Sequence, residues 1–307
     1  MEGPTPALSR RLHRFAVGTA GMTLLLLVAG ALVTSNDAGL AVPDWPLSYG
    51  TWMPPLVGGI LYEHSHRMIA TWVGLLTTAL AVWLLIGERR RWVRRLGLVA
   101  LAAVSAQGIL GGLTVLHLLP WPVSTAHATL AQLFFSLTVV LAWVTGAGWQ
   151  LPAPALRASE CPGLRGLALA APILILLQLA LGAALRHQAI GIGPHLGGAL
   201  GVVGVVALLA RRLGRFQGQA TWCGLRTRLL TLLGVQLILG ASAYLVLRSA
   251  AAAPQPQPLA VAITVAHVVA GALLLATSVL LALEVWRRTS PGRTTREPGL
   301  QVQEVLP

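Results

Sequence analysis

Lysine is absent from this 307-residue chain, and only 10% of its residues are formally charged. A soluble globular domain carries about 25%. With 55% hydrophobic residues and a mean hydropathy of +0.74, the chain is short of the polar surface that water requires. Acids are few as well, nine against 22 arginines, which leaves a formal net charge of +13. Such a balance suits nucleic acid or an anionic surface. Here the arginines gather in a few short clusters and no nucleic-acid motif accompanies them, so the reading is no nucleic acid. The two cysteines, Cys161 and Cys223, lie far apart and outside any metal-type spacing, so they imply no disulfide framework.

What the chain has instead is long apolar runs. A helix needs about 20 such residues to cross a bilayer. Eight runs meet that length, near residues 15–34, 66–86, 96–116, 125–146, 166–185, 194–210, 228–247 and 259–284. The fold class is therefore all-α, a polytopic membrane protein of eight transmembrane helices.

Arginine sets the orientation. Clusters precede span one (Arg10, Arg11, Arg14), separate spans two and three (Arg89 to Arg95), four and five (Arg157, Arg165), and six and seven (Arg211 to Arg228), and follow span eight (Arg287 to Arg296). Only Arg67, Arg186 and Arg248 fall on the opposite side, a split of 19 to 3. Both termini are expected in the cytoplasm, and both cysteines on the reducing side. The first outer loop, about 35–62, is long and rich in Pro, Gly and Trp. It reads as a membrane-anchored lid or as a substrate-contacting cap.

The spans repeat. Odd spans share a small-residue pattern near their outer ends: Leu27–Thr34, Ile109–Leu116, Leu179–Arg186 and Leu237–Tyr244. Three of them place Gln four residues before Gly: Gln107 and Gly111, Gln178 and Gly182, Gln236 and Gly240. Small residues permit close helix approach. Even spans each carry a histidine near the outer end: His66, His127, His195 and His267. The chain thus reads as two tandem four-helix bundles related by a pseudo-twofold axis along the membrane normal. The expected halves are 1–150 and 151–286, with a disordered tail over 287–307.

Ionisable groups inside a membrane usually mark function. Histidines on parallel helices at matching depth can ligate one metal centre from two sides. Zinc wants three or four protein ligands, and no Asp, Glu or Cys completes such a set in the second half. Haem needs only two axial imidazoles. The expectation is one haem per half, His66 with His127 and His195 with His267. Gly197, Gly198, Gly201 and Gly204 leave room for a porphyrin face.

The halves differ. Aligning His66 with His195 sets Glu63 opposite Ile192 and Arg67 opposite Leu196. Glu63 is either a charge favoured by the helix dipole or an acid that handles protons or a cation beside a haem. Arg67 is either a surface anchor or a propionate partner. His13, His64, His117 and His187 have no partner in the repeat and are left outside the ligand set. His13 is expected to be solvated, and His64 to point away from the side that His66 faces.

With Gly39–Gly50 ("GLAVPDWPLSYG"), Glu63–Arg67 ("EHSHR") and the regular histidines in view, the chain resembles heme A synthase across all eight spans. The resemblance implies that His66 and His127 surround a substrate heme O, that His195 and His267 ligate a heme b, and that Glu63 is the catalytic acid. It implies conversion of a porphyrin methyl to a formyl group by successive hydroxylations, giving heme A for terminal oxidases. It also implies a prokaryotic plasma membrane, a heme O-producing prenyltransferase as partner, and a quinol or small redox protein as electron donor. One departure stands out: many members carry a cysteine pair in the first outer loop, where this chain has Val42 and Ser48. The alternatives are a di-haem b-type electron carrier that modifies no haem, and a transporter with relay histidines.

Overall fold

The computed structural model describes residues 6–151, 163–216, 218–249 and 256–289. The described chain is helical, with one isolated bridge between Ser48 and Thr51. The helices are α1 (Pro6–Ser35), α2 (Gly58–Gly87), α3 (Arg91–Leu116), α4 (Trp121–Thr145), a short α5 (Ala147–Gln150), α6 (Leu164–Arg186), α7 (Ile192–Leu213), α8 (Ala220–Ser249) and α9 (Pro258–Thr289). All but α5 are long and apolar enough to cross a membrane. Helix is the natural answer to such sequence, because lipid leaves no water to satisfy backbone groups. Hydroxyls along the spans follow the same rule. Thr19, Thr23 and Thr77 bond the carbonyls of Phe15, Thr19 and Val73, one turn back.

Most helices run past the expected spans, and α2 starts at Gly58 rather than near 66. His66 therefore lies about two turns inside its helix. Residues 290–307 and 152–162, with Cys161, lie outside the described residues.

Each half closes as a ring of four. α1 packs on α2, α2 on α3, α3 on α4 and α4 back on α1. α6 to α9 repeat that circuit. Between the rings, α4 meets α6 just as α9 meets α1, and α4 meets α9. This contact pattern is consistent with a twofold axis between α4 and α9. Leu27 of α1, Phe135 of α4, and Ala272 and Ala276 of α9 form the small apolar seam between the rings. Trp143 of α4 crosses the same seam, donating from Nε1 to Glu284 of α9 at 3.0 Å. The second ring is looser on one side, where α7 and α8 touch less than α2 and α3 do.

Candidate haem sites

Four histidines occupy equivalent seats. A methyl added at Gly30 would meet His66 Cε1 at 3.1 Å. At Gly111 it would meet His127 Cε1 at 3.3 Å, and at Gly182 and Gly240 it would meet His195 and His267 Cε1 at 3.0 Å. Each imidazole thus lies edge-on against the helix before its own, in a notch that only glycine leaves. The repeated small residues are seats for these rings as well as helix-packing positions. The Nδ1 atoms of His66, His127 and His267 are buried without a well-formed hydrogen bond. Burial of that nitrogen leaves Nε2 of His66 and His127 as the one to face a ligand, while His267 Nε2 lies 3.3 Å from Gln236 Nε2.

In the second ring, the His195 and His267 centroids stand 6.5 Å apart with the planes at 73°. Two imidazoles sharing one metal through bonds of about 2 Å hold their centroids roughly 6 Å apart. The spacing therefore fits one iron between them. Among the described residues, no three or more of His, Cys, Asp and Glu gather to hold a metal ion. Two axial ligands and a flat group suit this geometry; a tetrahedral zinc site does not. Beside Gly197, Gly201 and Gly204 the space is open, whereas Gly198 packs against Gln178. In the first ring, His66 and His127 lie within electrostatic reach of each other.

The outer loop lies over the first ring, and Asp37 at its start reaches Arg186 of α6, Oδ1 to Nη2 at 3.9 Å. Arg67 Nη1 donates to the carbonyls of Asp44 and Leu47, both at 2.7 Å. Its Nη2 donates to Val42 O at 3.1 Å and to Glu63 Oε1 at 2.6 Å. The other Glu63 oxygen accepts the Val42 N–H at 2.8 Å. His64 Nδ1 pairs with Ser48 Oγ at 2.9 Å. At the far side of the ring, the Trp45 indole lies flat on Gly112, where an added methyl would come within 2.8 Å of Cδ2. Adjacent glycines of α3 therefore seat His127 and the loop's tryptophan. Within the loop, Asp44 accepts the N–H groups of Tyr49 at 2.7 Å and Gly50 at 2.8 Å. The Gly50 bond leads in holding its carboxyl below the usual range.

Five ties to the loop come from "EHSHR" of α2, to three carbonyls, one N–H and one hydroxyl, and they hold a loop that lacks cysteine. Val42 and Ser48 are both buried and both tied to it. Arg67 spends all four terminal N–H groups here, clamping the loop onto α2. His64 does point away from the His66 seat. His13 differs from the solvated expectation: its Nδ1 bonds Ala142 O at 3.0 Å and its ring packs on Gly146. The Ala142 carbonyl near the end of α4, which also accepts the Thr145 hydroxyl at 3.1 Å, draws it in. His187, set aside on sequence, lies within electrostatic reach of His127 although it follows α6 in the other ring. Burial, then the Arg186 charge, holds its imidazole below the usual value. No repeat pattern could have found it, since the contact depends on how the rings abut.

The sequence model of the COX15-CtaA family, described as cytochrome oxidase assembly protein, matches residues 3–139 and 58–193. Together the matches run through more than half of the chain. The chain belongs to the COX15-CtaA family. Among curated relatives of this family, the heme A synthase of Symbiobacterium thermophilum is 30% identical over 183 residues, 58% of this chain and 60% of the relative. That of Methylobacterium nodulans is 32% identical over 154 residues, 45% of this chain and 42% of the relative. That of Lysinibacillus sphaericus is 36% identical over 112 residues, 35% of this chain and 36% of the relative. The chain thus spans less than two thirds of each of these relatives. The COX15-CtaA matches include His66 and His127, and the match ending at residue 193 stops just short of His195.

Proposed function

We propose that this protein is a heme A synthase, a membrane oxidoreductase that converts a methyl group of heme O to a formyl group. The observation that carries the reading is the pair of imidazole sites, one fitted to an iron at 6.5 Å ring separation and one under a loop that only the first ring has. Relatives named heme A synthase support it.

In this reading His66 and His127 hold the substrate haem, and His195 and His267 hold a heme b. The heme b, when bound, supplies one-electron chemistry. The chain does the rest. The glycine notches fix the imidazole planes. The loop, clamped by Arg67 and seated by Trp45, excludes water from the outer end of the first site. Glu63 sits one turn before His66 and holds a carboxylate there, available to accept or return a proton once the loop tie to Val42 opens. That tie gives the acid a structural use as well, so the asymmetry of the halves alone does not separate an oxidising enzyme from a di-haem carrier.

The protein works as a multi-pass protein of a prokaryotic plasma membrane, with both termini cytoplasmic. It takes heme O from a prenyltransferase and electrons from a quinol or small redox protein. Co-expression with a heme O source, followed by haem extraction, tests the reading. Heme A should accumulate. A b-type spectrum without heme A would favour the carrier, and a preparation with no Soret band would favour the transporter.

A further inference from the structure

Three arginines stand toward the outer ends of the rings, and they are placed differently. The terminal N–H groups of Arg67 are spent on the loop and on Glu63. Arg248 lies exposed on α8, where Nη1 donates to the Tyr244 hydroxyl at 2.9 Å. Arg186, the last residue of α6, lines a cavity of about 230 Å³. Among the described residues its contacts leave from one nitrogen: Nη2 donates to Thr34 O at 2.6 Å and lies 3.9 Å from Asp37 Oδ1. Nε and Nη1 remain to meet a ligand.

The cavity lies over the second haem site. Arg186 follows Gly182, the seat of His195, by four residues. Thr264 and Ala260 line the cavity from α9. They precede His267 by three and seven residues, which puts them about 5 and 10 Å further out along the helix. Leu247 lines it from α8, seven residues beyond Gly240, the seat of His267. Steps of four and seven return to nearly the same helix face. Three helices of the second ring thus turn toward this cavity the faces that hold the two imidazoles. Ser35 and Asp37 close it from the first ring. The first ring has no matching arginine: four residues after Gly30 stands Thr34, and four after Gly111 stands Val115.

We propose that this cavity is a carboxylate subsite, in which Arg186 holds a propionate of the haem bound between His195 and His267 and so fixes that haem with its acid edge outward. The inference rests on the two-haem reading above and adds a binding residue and an orientation. A carboxylate near membrane depth needs a cation, and guanidinium meets it with two parallel N–H···O bonds. Asp37 is a weak rival for Arg186, since its side chain is 78% exposed and contacts of that kind contribute little in water. The hydroxyls of Ser35 and Thr264 lie 3.0 Å apart. When Thr264 donates to Ser35, the Ser35 O–H is left to donate to the carboxylate.

The test uses full-length His66→Ala protein in detergent, which keeps the second site. It is titrated with protohaem and with protohaem dimethyl ester, whose two carboxylates are capped. The ratio of acid to ester affinity, compared between variants, removes the effect of detergent partition. Low-spin uptake should favour the acid. Arg186→Leu should weaken acid binding about 10–100-fold and leave ester binding unchanged. Arg186→Gln, which can still donate to Thr34 O, must lose the same preference, and it carries the comparison if the leucine variant does not fold. Equal weakening of acid and ester would make Arg186 a structural residue and overturn the proposal. Equal binding of acid and ester with Arg186 in place overturns it as well. A His66→Ala protein that gives no low-spin spectrum with either haem overturns the assignment of the two sites, and this inference falls with it.

Discussion

Glu63 and Val42 are joined across the outer mouth of the first ring: the carboxylate accepts the Val42 N–H at 2.8 Å while its other oxygen binds Arg67 at 2.6 Å. The residue that the sequence marks as an acid beside a haem ligand is, in the closed structure, also a loop fastener. Chemistry and closure therefore share one carboxylate.

Glu63→Gln separates them. The amide oxygen can still accept from Val42, but the charge-assisted bond to Arg67, a type worth roughly 1.5–3 kcal/mol, is weakened. Haem binding should persist and heme A formation should stall. Normal heme A yield would remove Glu63 from the chemistry.

Arg67→Ala should do more damage than Glu63→Gln. It leaves the Glu63 carboxylate, with a side chain only 5% exposed, without its cation, a change that costs about 3–5 kcal/mol for buried pairs. Hydrogen exchange over residues 36–57 should rise sharply. Adding Glu63→Gln to Arg67→Ala should recover part of the stability. A double variant as unstable as the sum of the two singles would show that the pair does not act as a unit.

His195→Ala or His267→Ala should each abolish the low-spin b-type spectrum, because one axial bond is lost. Loss of that spectrum on His66→Ala alone would reverse the roles of the two rings.

Gly182→Ala places a methyl 3.0 Å from His195 Cε1. Overpacking of this kind costs about 1–3 kcal/mol, so haem affinity at the second site should fall about tenfold or more while the helices stay intact. Titration of apoprotein with haem, alongside circular dichroism, reads both. Wild-type affinity would show that the ring moves without penalty.

Acid should loosen the loop late. The Asp44 carboxyl has a folded pKa below the ordinary 3.8. A depressed acid contributes stability above its unfolded value and loses it as pH falls through the folded value. Loop order should thus hold at neutral pH and decline only below about 4. Asp44 is partly exposed, so the effect is modest. Asp44→Asn should raise loop exchange at pH 7 and flatten this acid dependence; an unchanged pH profile would clear Asp44 of the role.

The eight spans, the recurring histidines and their glycines were legible along the chain, because lipid forces each span to read as a continuous apolar run and a seat for a ring forces glycine at fixed spacing. Three things were not legible. The clamp joins Arg67 to carbonyls, which carry no sequence signature. Gln107, Gln178 and Gln236 showed their spacing, but only packing reveals that the amides of Gln107 and Gln178 each bond the main-chain oxygen of a histidine. His187 approaches His127 because α4 abuts α6. Local chemistry and periodicity are written in the residues one after another; which groups face each other across two rings of helices depends on how whole helices dock, and that is settled by the summed packing of surfaces far apart in the chain.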